Sequence, residues 1–410
     1  MFEKRIETHH EIQDTIFKSL PKEGIIKKEF MEFLDRDPKE KDGGIYVHTP
    51  FCDKLCSFCN MNRKFCDSNM EEYTNFLINE FEKFGKKNFV QKKIFSVVFW
   101  GGGTPTIYSK EQLIRILKSF RENFSLNNDY EWTFETTLHN LDMEKLKVME
   151  NYGINRLSIG VQTFSNKGRK ILNRTFNEKE VIKKIQEIQN NFKGKVCIDI
   201  IFDYPYETEE EIINDAKRCV ELKVDSVSFC TLIFYERSKI ARDIEEGKIE
   251  FEKNFDRNRK YHNLFLEALT NNGYKIIENG KVSINDKYEY INLINADKDL
   301  LPLGIGAGGN LEGIGIYRLS KETEFYAKCG EFERKLKLLY GLFQYPTVEL
   351  KKIKRIFPDK YDKIYKKLLY FSEKGYLEIS EKDIKLTLNG IYLGHTIDAE
   401  ILKICLENKK

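Results

Sequence analysis

The chain has 410 residues, is 41% hydrophobic and 13% aromatic, and carries 68 basic against 65 acidic side chains, a formal charge of +3. That is room for one large domain and one or two smaller ones, no apolar run reaches membrane-span length, and the near-balance of charge excludes a broad nucleic-acid footprint. The first ten residues mix acids and bases without an apolar stretch, which predicts no signal peptide and a cytoplasmic chain.

Residues 1–43 are polar with a helical tendency and are expected to form a helical extension. From there, short apolar runs alternate with amphipathic stretches. Strands are expected at Ile45–His48, Phe95–Trp100, Trp132–Thr136, Arg156–Gly160, Val196–Phe202 and Ser226–Leu232. Helices are expected between them at Met70–Gly85, Lys110–Asn123, Asp142–Tyr152, Glu178–Asn191 and Glu209–Leu222. Six such repeats over residues 44–242 predict an α/β fold, a partial parallel (β/α)6 barrel, whose functional groups sit at the C-terminal ends of the strands.

Residues 243–330 lose this rhythm and are expected to flank the barrel on its substrate side. They hold a helix over Arg257–Asn272, a polar stretch over Tyr274–Asn295 and a glycine-rich segment from Leu301 to Gly313. Residues 331–410 read as helices at 332–343, 347–356 and 359–374, then a hairpin over 376–388. That order predicts a winged-helix-like α+β domain. Lys351, Lys352, Lys354 and Arg355 read as a solvated face rather than a DNA-recognition helix.

The first expected strand leads into Cys52, Cys56 and Cys59. Three thiolates at that spacing on one loop can hold three corners of a cubic iron–sulfur cluster and leave one iron open. Cys66 is the alternative fourth ligand of a closed site, although closed sites pair their cysteines in two short knuckles. Cys197, Cys219, Cys230 and Cys405 lie in apolar or helical stretches and read as packed thiols.

The later strands also end in chemistry-bearing residues. Gly101, Gly102, Gly103 and Thr104 close the second, where the lack of side chains lets backbone approach a ligand. Glu135 ends the third; its alternative reading is a salt-bridged structural acid. Gln162, a donor and an acceptor, follows the fourth, and Arg174 twelve residues on offers a planar fork for a carboxylate. Asp199 lies inside the fifth, where an unpaired acid is costly, so a ligand hydroxyl or Arg174 is expected beside it.

These blocks, from about Gly44 to Arg242, resemble the coproporphyrinogen dehydrogenase-like branch of the radical S-adenosylmethionine (SAM) superfamily. The resemblance implies a [4Fe-4S] cluster on Cys52, Cys56 and Cys59 with SAM on the open iron. It further implies SAM contacts from Tyr46, Phe58, Gly102, Gly103, Thr104, Glu135, Gln162, Arg174 and Asp199, with Phe58 beside the adenine. Gln162, Asp199 and His139 are the candidate catalytic groups, and His139, just past Glu135 at the barrel mouth, is also the candidate substrate contact.

Within the branch, Asn60-Met61-Asn62 after the third cysteine departs from the Cys-x-Phe-Cys-Gly-Cys pattern of the coproporphyrinogen dehydrogenases. Gly304-Ile-Gly-Ala-Gly-Gly-Asn310 resembles the anaerobilin synthases, and Asp203-Tyr204-Pro205 the methyltransferase-like members. This implies radical methylation of heme by two SAM molecules, opening of the macrocycle and release of iron, fed by a flavodoxin-like donor. A heme-binding chaperone, a coproporphyrinogen III dehydrogenase and a methyltransferase of another substrate are the alternatives. Gly304–Gly309 is expected either to seat a flat macrocycle or to be a flexible turn.

Overall fold

The protein is described by a computed structural model covering residues 2, 4–18, 20–59, 64–65 and 69–407, with His9, Lys64 and Phe65 as backbone only. Residues 60–62 and Cys66, on which two of the expectations rest, lie outside the described residues.

Six parallel strands carry the fold: β1 Asp42–Thr49, β2 Ile94–Gly102, β3 Leu126–Thr136, β4 Arg156–Gln162, β5 Lys195–Phe202 and β6 Ser226–Thr231. Between them run α1 Met70–Gly85, α2 Lys110–Asn123, α3 Met143–Asn151, α4 Glu178–Asn191 and α5 Glu209–Leu222. Three of these helices start on reciprocal caps that satisfy their first N–H groups: Ser109 with Gln112, Asn177 with Glu180, and Thr208 with Glu211. Their apolar faces bury Leu113, Ile116, Leu117 and Phe120 on α2, and Val181, Ile185 and Ile188 on α4, against the outer face of the sheet.

The strands alternate, as the two-residue period of a strand requires. Ile45, Val47, Val98 and Trp100 belong to the main core under the helices. Tyr46 and Val97 instead join Leu293, Leu300 and Tyr290 in a separate cluster on the lumen side.

The sheet extends beyond these six strands. After α6 Phe255–Thr270, the chain forms β7 Lys275–Glu278, β8 Lys281–Ser283, α7 Glu289–Asn295, β9 Leu300–Leu303, β10 Gly308–Leu311, β11 Ile314–Arg318 and β12 Glu324–Lys328. The order in the 13-stranded sheet is Glu23–Gly24, β12, β11, β10, β9, β1 to β6, β8, β7, an open rather than a closed ladder among the described residues. β9 is a seventh parallel strand, in register with β1 from Leu300 opposite Gly44 to Leu303 opposite Val47.

Two parts of the chain are more integrated than their polarity suggests. In the first 43 residues Ile12, Ile16, Phe17, Phe30 and Leu34 are fully buried in the main core. The stretch expected to be polar with strand-like pieces contains α7, held against the lumen side of the sheet. There Tyr290 stacks on Phe99 with ring centroids 4.3 Å apart, and the Arg156 guanidinium lies 4.1 Å from the Tyr288 ring and 2.8 Å from Asp286. Glu131 at the base of the lumen accepts the Glu289 N–H at 2.8 Å.

The C-terminal part comprises α8 Glu331–Leu342, β13 Thr347–Glu349, α9 Leu350–Ile356, α10 Tyr361–Glu373, β14 Leu377–Ile379, β15 Asp383–Leu386 and α11 Gly394–Leu406. The expected helix 347–356 starts as a strand, because the β-branched pair Thr347–Val348 completes a three-stranded wing, β13–β15–β14.

Candidate active site

The cysteine loop leaves the C-terminal end of β1 and is tied down on several sides. Phe51–Cys52 pairs with Lys64–Phe65. Phe51 O accepts the Thr104 N–H at 2.8 Å, Ser57 Oγ donates to Ile171 O at 2.7 Å, and Asn173 Nδ2 donates to Leu55 O at 2.6 Å. The glycines after β2 make this docking possible: a Cβ on Gly103 would lie 2.2 Å from Phe51 O and 3.0 Å from the Cys52 sulfur. Their close approach is therefore first to the chain's own loop.

A cavity of about 170 Å3 runs from this loop into the lumen, where Ser158 and Asp199 line it. Of the cluster, SAM and substrate residues that the resemblance implies, all but Tyr46 and Gly102 line this space. The Tyr46 hydroxyl is 2.8 Å from Nδ1 of His48, and its ring packs with Phe99 and Tyr290 lower in the lumen. Gly102 acts through its N–H, which donates to Oε2 of Glu135 at 3.1 Å. Phe58 leans on the apolar group of Leu172, Ile201, Tyr204, Leu232 and Ile240.

Gln162 and Arg174 converge on Gly160. A register shift falls between Gly160 and Gln162, and Gln162 takes φ +75°, a left-handed conformation that strains a non-glycine residue. Such bulges re-aim side chains next to functional sites. A Cβ on Gly160 would lie 2.8 Å from Nε2 of Gln162, so the amide in its present position needs that glycine, whereas Nη2 of Arg174 at 3.5 Å would be in ordinary contact. Arg174 donates to Gly160 O and, at 2.9 Å, to the Cys56 sulfur, while its Nε is buried without a partner. Of the two partners expected for Asp199, a ligand hydroxyl or Arg174, the arginine is turned to Gly160 O and Cys56. The Asp199 carboxylate accepts from Ser158 Oγ at 3.3 Å instead, because Arg174 is drawn toward the cysteine loop.

Two carboxyls face this space. Burial and then the charge of Asp199 push Glu135 up to about 8, and burial likewise raises Asp199, with Lys281 and Arg156 opposing the rise. The pair can hold a proton at neutral pH. His139 lines the cavity, but its Nε2 is already 3.1 Å from both Asp53 oxygens, and Asn140 Nδ2 donates to Asp53 Oδ1 at 3.0 Å. These contacts tether the cysteine loop to the end of β3.

The glycine-rich segment serves packing within the chain. Gly304 and Gly306 have φ of +91° and +95°, and a Cβ on Gly306 would lie 2.8 Å from the His48 ring. Burial drives His48 down to about 4, so the ring is neutral against that backbone.

Sequence reasoning missed Arg169. This buried side chain donates from Nη1 to Val161 O at 3.0 Å and to Thr163 O at 2.8 Å, on either side of Gln162. It also donates to Thr175 O, and from Nε to Phe176 O at 2.9 Å, just beyond Arg174. One guanidinium thus fixes both segments that deliver polar groups to the cavity. Ser158 was also missed, although strand alternation puts it on the face of Arg156 and Gly160.

The donor set fits a cubic cluster held at three corners, since three cysteine side chains share the cavity wall and a Cβ at Gly103 would crowd the sulfur of Cys52 at 3.0 Å. Among the described residues no three His, Cys, Asp or Glu side chains converge on one ion, which a cluster with each thiolate on a different iron does not ask of them.

Residues 46–219 match the Radical SAM superfamily. That stretch is a radical SAM domain whose relatives lie in the coproporphyrinogen dehydrogenase-like branch, and the radical SAM family uses a [4Fe-4S] cluster and SAM. It is 25% identical over 379 residues to the heme chaperone HemW of Lactococcus lactis, covering 88% of this chain and 98% of that one. It is 27% identical to the anaerobilin synthase of Escherichia coli O157:H7, over 69% of this chain and 64% of the relative. The oxygen-independent coproporphyrinogen III oxidase of Escherichia coli K12 is 32% identical over 48% of this chain and 43% of its own length. The solved structure of coproporphyrinogen III oxidase (HemN) from Escherichia coli superposes with a TM-score of 0.79 at 21% identity, covering 99% of this chain and 100% of that one, and shows the same fold. Among the described residues no helix is long and apolar enough to cross a membrane.

Proposed function

We propose that this protein is a radical SAM enzyme that methylates heme and opens the macrocycle to a linear tetrapyrrole, releasing the iron. The observation that carries the reading is the single cavity that joins the three cysteines to Ser158 and Asp199 in the lumen. The cysteines that would hold a cluster and the titratable carboxyls thus share one space, which supports chemistry between them. When bound, the cluster supplies a low-potential electron, delivered by a flavodoxin-like donor, and SAM supplies the radical and the methyl group.

In this reading Cys52, Cys56 and Cys59 hold the cluster. The Arg174 fork and the Gln162 amide orient the methionine end of SAM, with Gly103 and Thr104 as backbone around it. Glu135, kept partly neutral by burial, donates or accepts a hydrogen bond without adding a full negative charge. Asp199 holds a proton on the substrate side, and Phe58 shields the cofactor from water.

A second reading, a heme chaperone, is favoured by the match to almost the whole length of HemW. Anaerobic incubation of reconstituted protein with SAM, heme and reductant separates the two. Loss of the Soret band with a methylated linear tetrapyrrole and S-adenosylhomocysteine is the expected outcome. Heme that stays intact on the protein, without S-adenosylhomocysteine, sinks the enzyme reading and leaves the chaperone.

A further inference from the structure

A second cavity, of about 840 Å3, lies between β7, the outermost strand of the sheet, and the C-terminal part, and it shares no residue with the cavity at the cysteine loop. That volume is in the range of small-molecule sites. Ile276 and Ile277 of β7 form one wall, Leu338 and Leu342 of α8 a second, and Val348 of β13 with Ile356 of α9 a third. Consecutive strand residues point to opposite faces, but a register shift falls between Ile276 and Glu278, and both isoleucines line the space. The same irregularity interrupts the free edge of β7, which disfavours the addition of a peptide strand there.

The walls are tied to one another. Gly341 lets α8 pack directly on Asn295 O at the end of α7, where a Cβ has no room. Tyr345 Oη donates to Asn292 Oδ1 at 2.9 Å. Asn279, in the turn between β7 and β8, donates from its N–H to Gln344 O at 2.9 Å and from Nδ2 to Phe343 O at 3.0 Å. An apolar space braced in this way is formed before a ligand arrives, which lowers the ordering cost of binding.

The charged residues on the lining are Lys335 on α8, Glu349 at the end of β13, and Lys352 and Arg355 on α9. Glu349 is taken by Lys351 at 2.6 Å and Lys352 at 2.7 Å, Lys335 pairs with Glu331 at 2.9 Å, and Arg355 has no ion pair among the described residues. Cations in excess over apolar walls suit a bulky apolar body that carries carboxylates. None of the described residues that line the space is a histidine, cysteine or methionine, and the Tyr345 hydroxyl is engaged with Asn292, so a heme iron would find no ready ligand.

We propose that this groove is a second tetrapyrrole site, which holds the macrocycle between its apolar walls and the carboxylates on Arg355, with Lys335 and Lys352 beside it, and leaves the centre of the ring unligated. The iron-free product is therefore accepted as readily as heme. The inference rests on the tetrapyrrole reading above and adds to it a holding site apart from the reacting one.

Protoporphyrin IX, its dimethyl ester and heme differ only in carboxylates and iron, and Soret titration of the reconstituted protein reports the binding of each. The acid is expected to bind about 10-fold more tightly than the ester, as a charge-assisted contact provides. Arg355→Glu should lower the affinity for the acid about 10-fold and leave the ester where it was. Leu338→Glu, which puts a charge among the apolar walls, should weaken both; Arg355, being exposed, carries the comparison if that variant does not fold. Heme should displace protoporphyrin IX from the groove at a similar concentration. Protoporphyrin binding that neither variant changes lies elsewhere and overturns the groove while sparing the tetrapyrrole reading. Equal affinity for acid and ester overturns the carboxylate anchor, and heme binding that is far tighter and is lost in Leu338→Glu overturns the unligated centre. A wild-type protein that binds none of the three compounds overturns the groove and the tetrapyrrole reading together.

Discussion

Arg174 donates from Nη1 to the sulfur of Cys56 across 2.9 Å, which joins the exit of β4 to the middle of the cysteine loop. The residue proposed to orient the carboxylate of SAM is therefore already held beside the thiolates proposed to hold the cluster. Its buried Nε, without a partner, is a donor in reserve. Arg174→Lys keeps the charge but loses the planar fork. SAM affinity, measured by equilibrium binding to cluster-loaded protein, should fall about 10- to 100-fold, the equivalent of one charge-assisted hydrogen bond. An unchanged affinity would remove Arg174 from the cofactor site.

The cysteines make a simpler prediction. Cys56→Ala leaves two thiolates for a cluster that needs three, so iron content should drop and SAM cleavage should cease. Cys66→Ala should keep both. Loss of cluster iron in that second variant, read from the iron-to-protein ratio and the visible spectrum, would reinstate a closed four-ligand site.

Much of this site was legible because each parallel strand ends where a motif begins. The strands through Phe95–Trp100 and Val196–Phe202 are apolar runs bounded by capped helices, and local pattern suffices for them. β9 was not legible. Leu300-Leu-Pro-Leu303 is four residues long and includes a proline, which reads as the start of the glycine segment. It is a strand because β1 offers it a parallel partner, while β10 pairs with it only at Leu300 and packs Gly309 on the Pro302 ring. The helix α7 is likewise fixed by distant contacts, Arg156 to Asp286 and Glu131 to the Glu289 N–H, that no local window contains. His139 was legible as a residue of the cavity, but its partner Asp53 was not, since 86 residues separate them.

Arg169 offers a test of how the strained turn is held. Its carbonyl partners at 161, 163, 175 and 176 have no other such donor in common among the described residues. Arg169→Met should cost about 3 kcal/mol or more of stability in urea unfolding, since charged donors to buried carbonyls are lost together. It should also raise the KM for SAM, because Gln162 and Arg174 lose their common support. Arg169→Lys, which reaches fewer of the four carbonyls, should fall between. A KM unchanged in Arg169→Met would show that the two segments keep their register without it.

Asp215 on α5 makes stability depend on pH. The side chain is fully buried and accepts the Phe164 N–H at 2.8 Å, two residues past Gln162. Burial lifts its carboxyl from the usual 3.8 to about 7. The folded protein thus holds this proton over a range in which the unfolded chain has released it. The resulting stability is fully present below pH 3.8 and is lost progressively as pH rises through 7. Asp215→Asn keeps the oxygen acceptor and has nothing to ionise. Relative to wild type it should gain stability with rising pH, reaching on the order of 2–4 kcal/mol by pH 9, because each pH unit between the unfolded and folded titrations is worth about 1.4 kcal/mol. Urea unfolding of both proteins at pH 5 and pH 9 checks this. Glu135 titrates in both proteins and cancels in the difference, whereas Glu207, raised by burial and then by the Asp215 charge, is less raised in the Asn variant. A gap between the two proteins that stays constant or narrows toward pH 9 would mean that Asp215 is ionised in the fold at neutral pH, with Arg169 as the counter-charge, which would tie the acid directly to the guanidinium that braces Gln162 and Arg174.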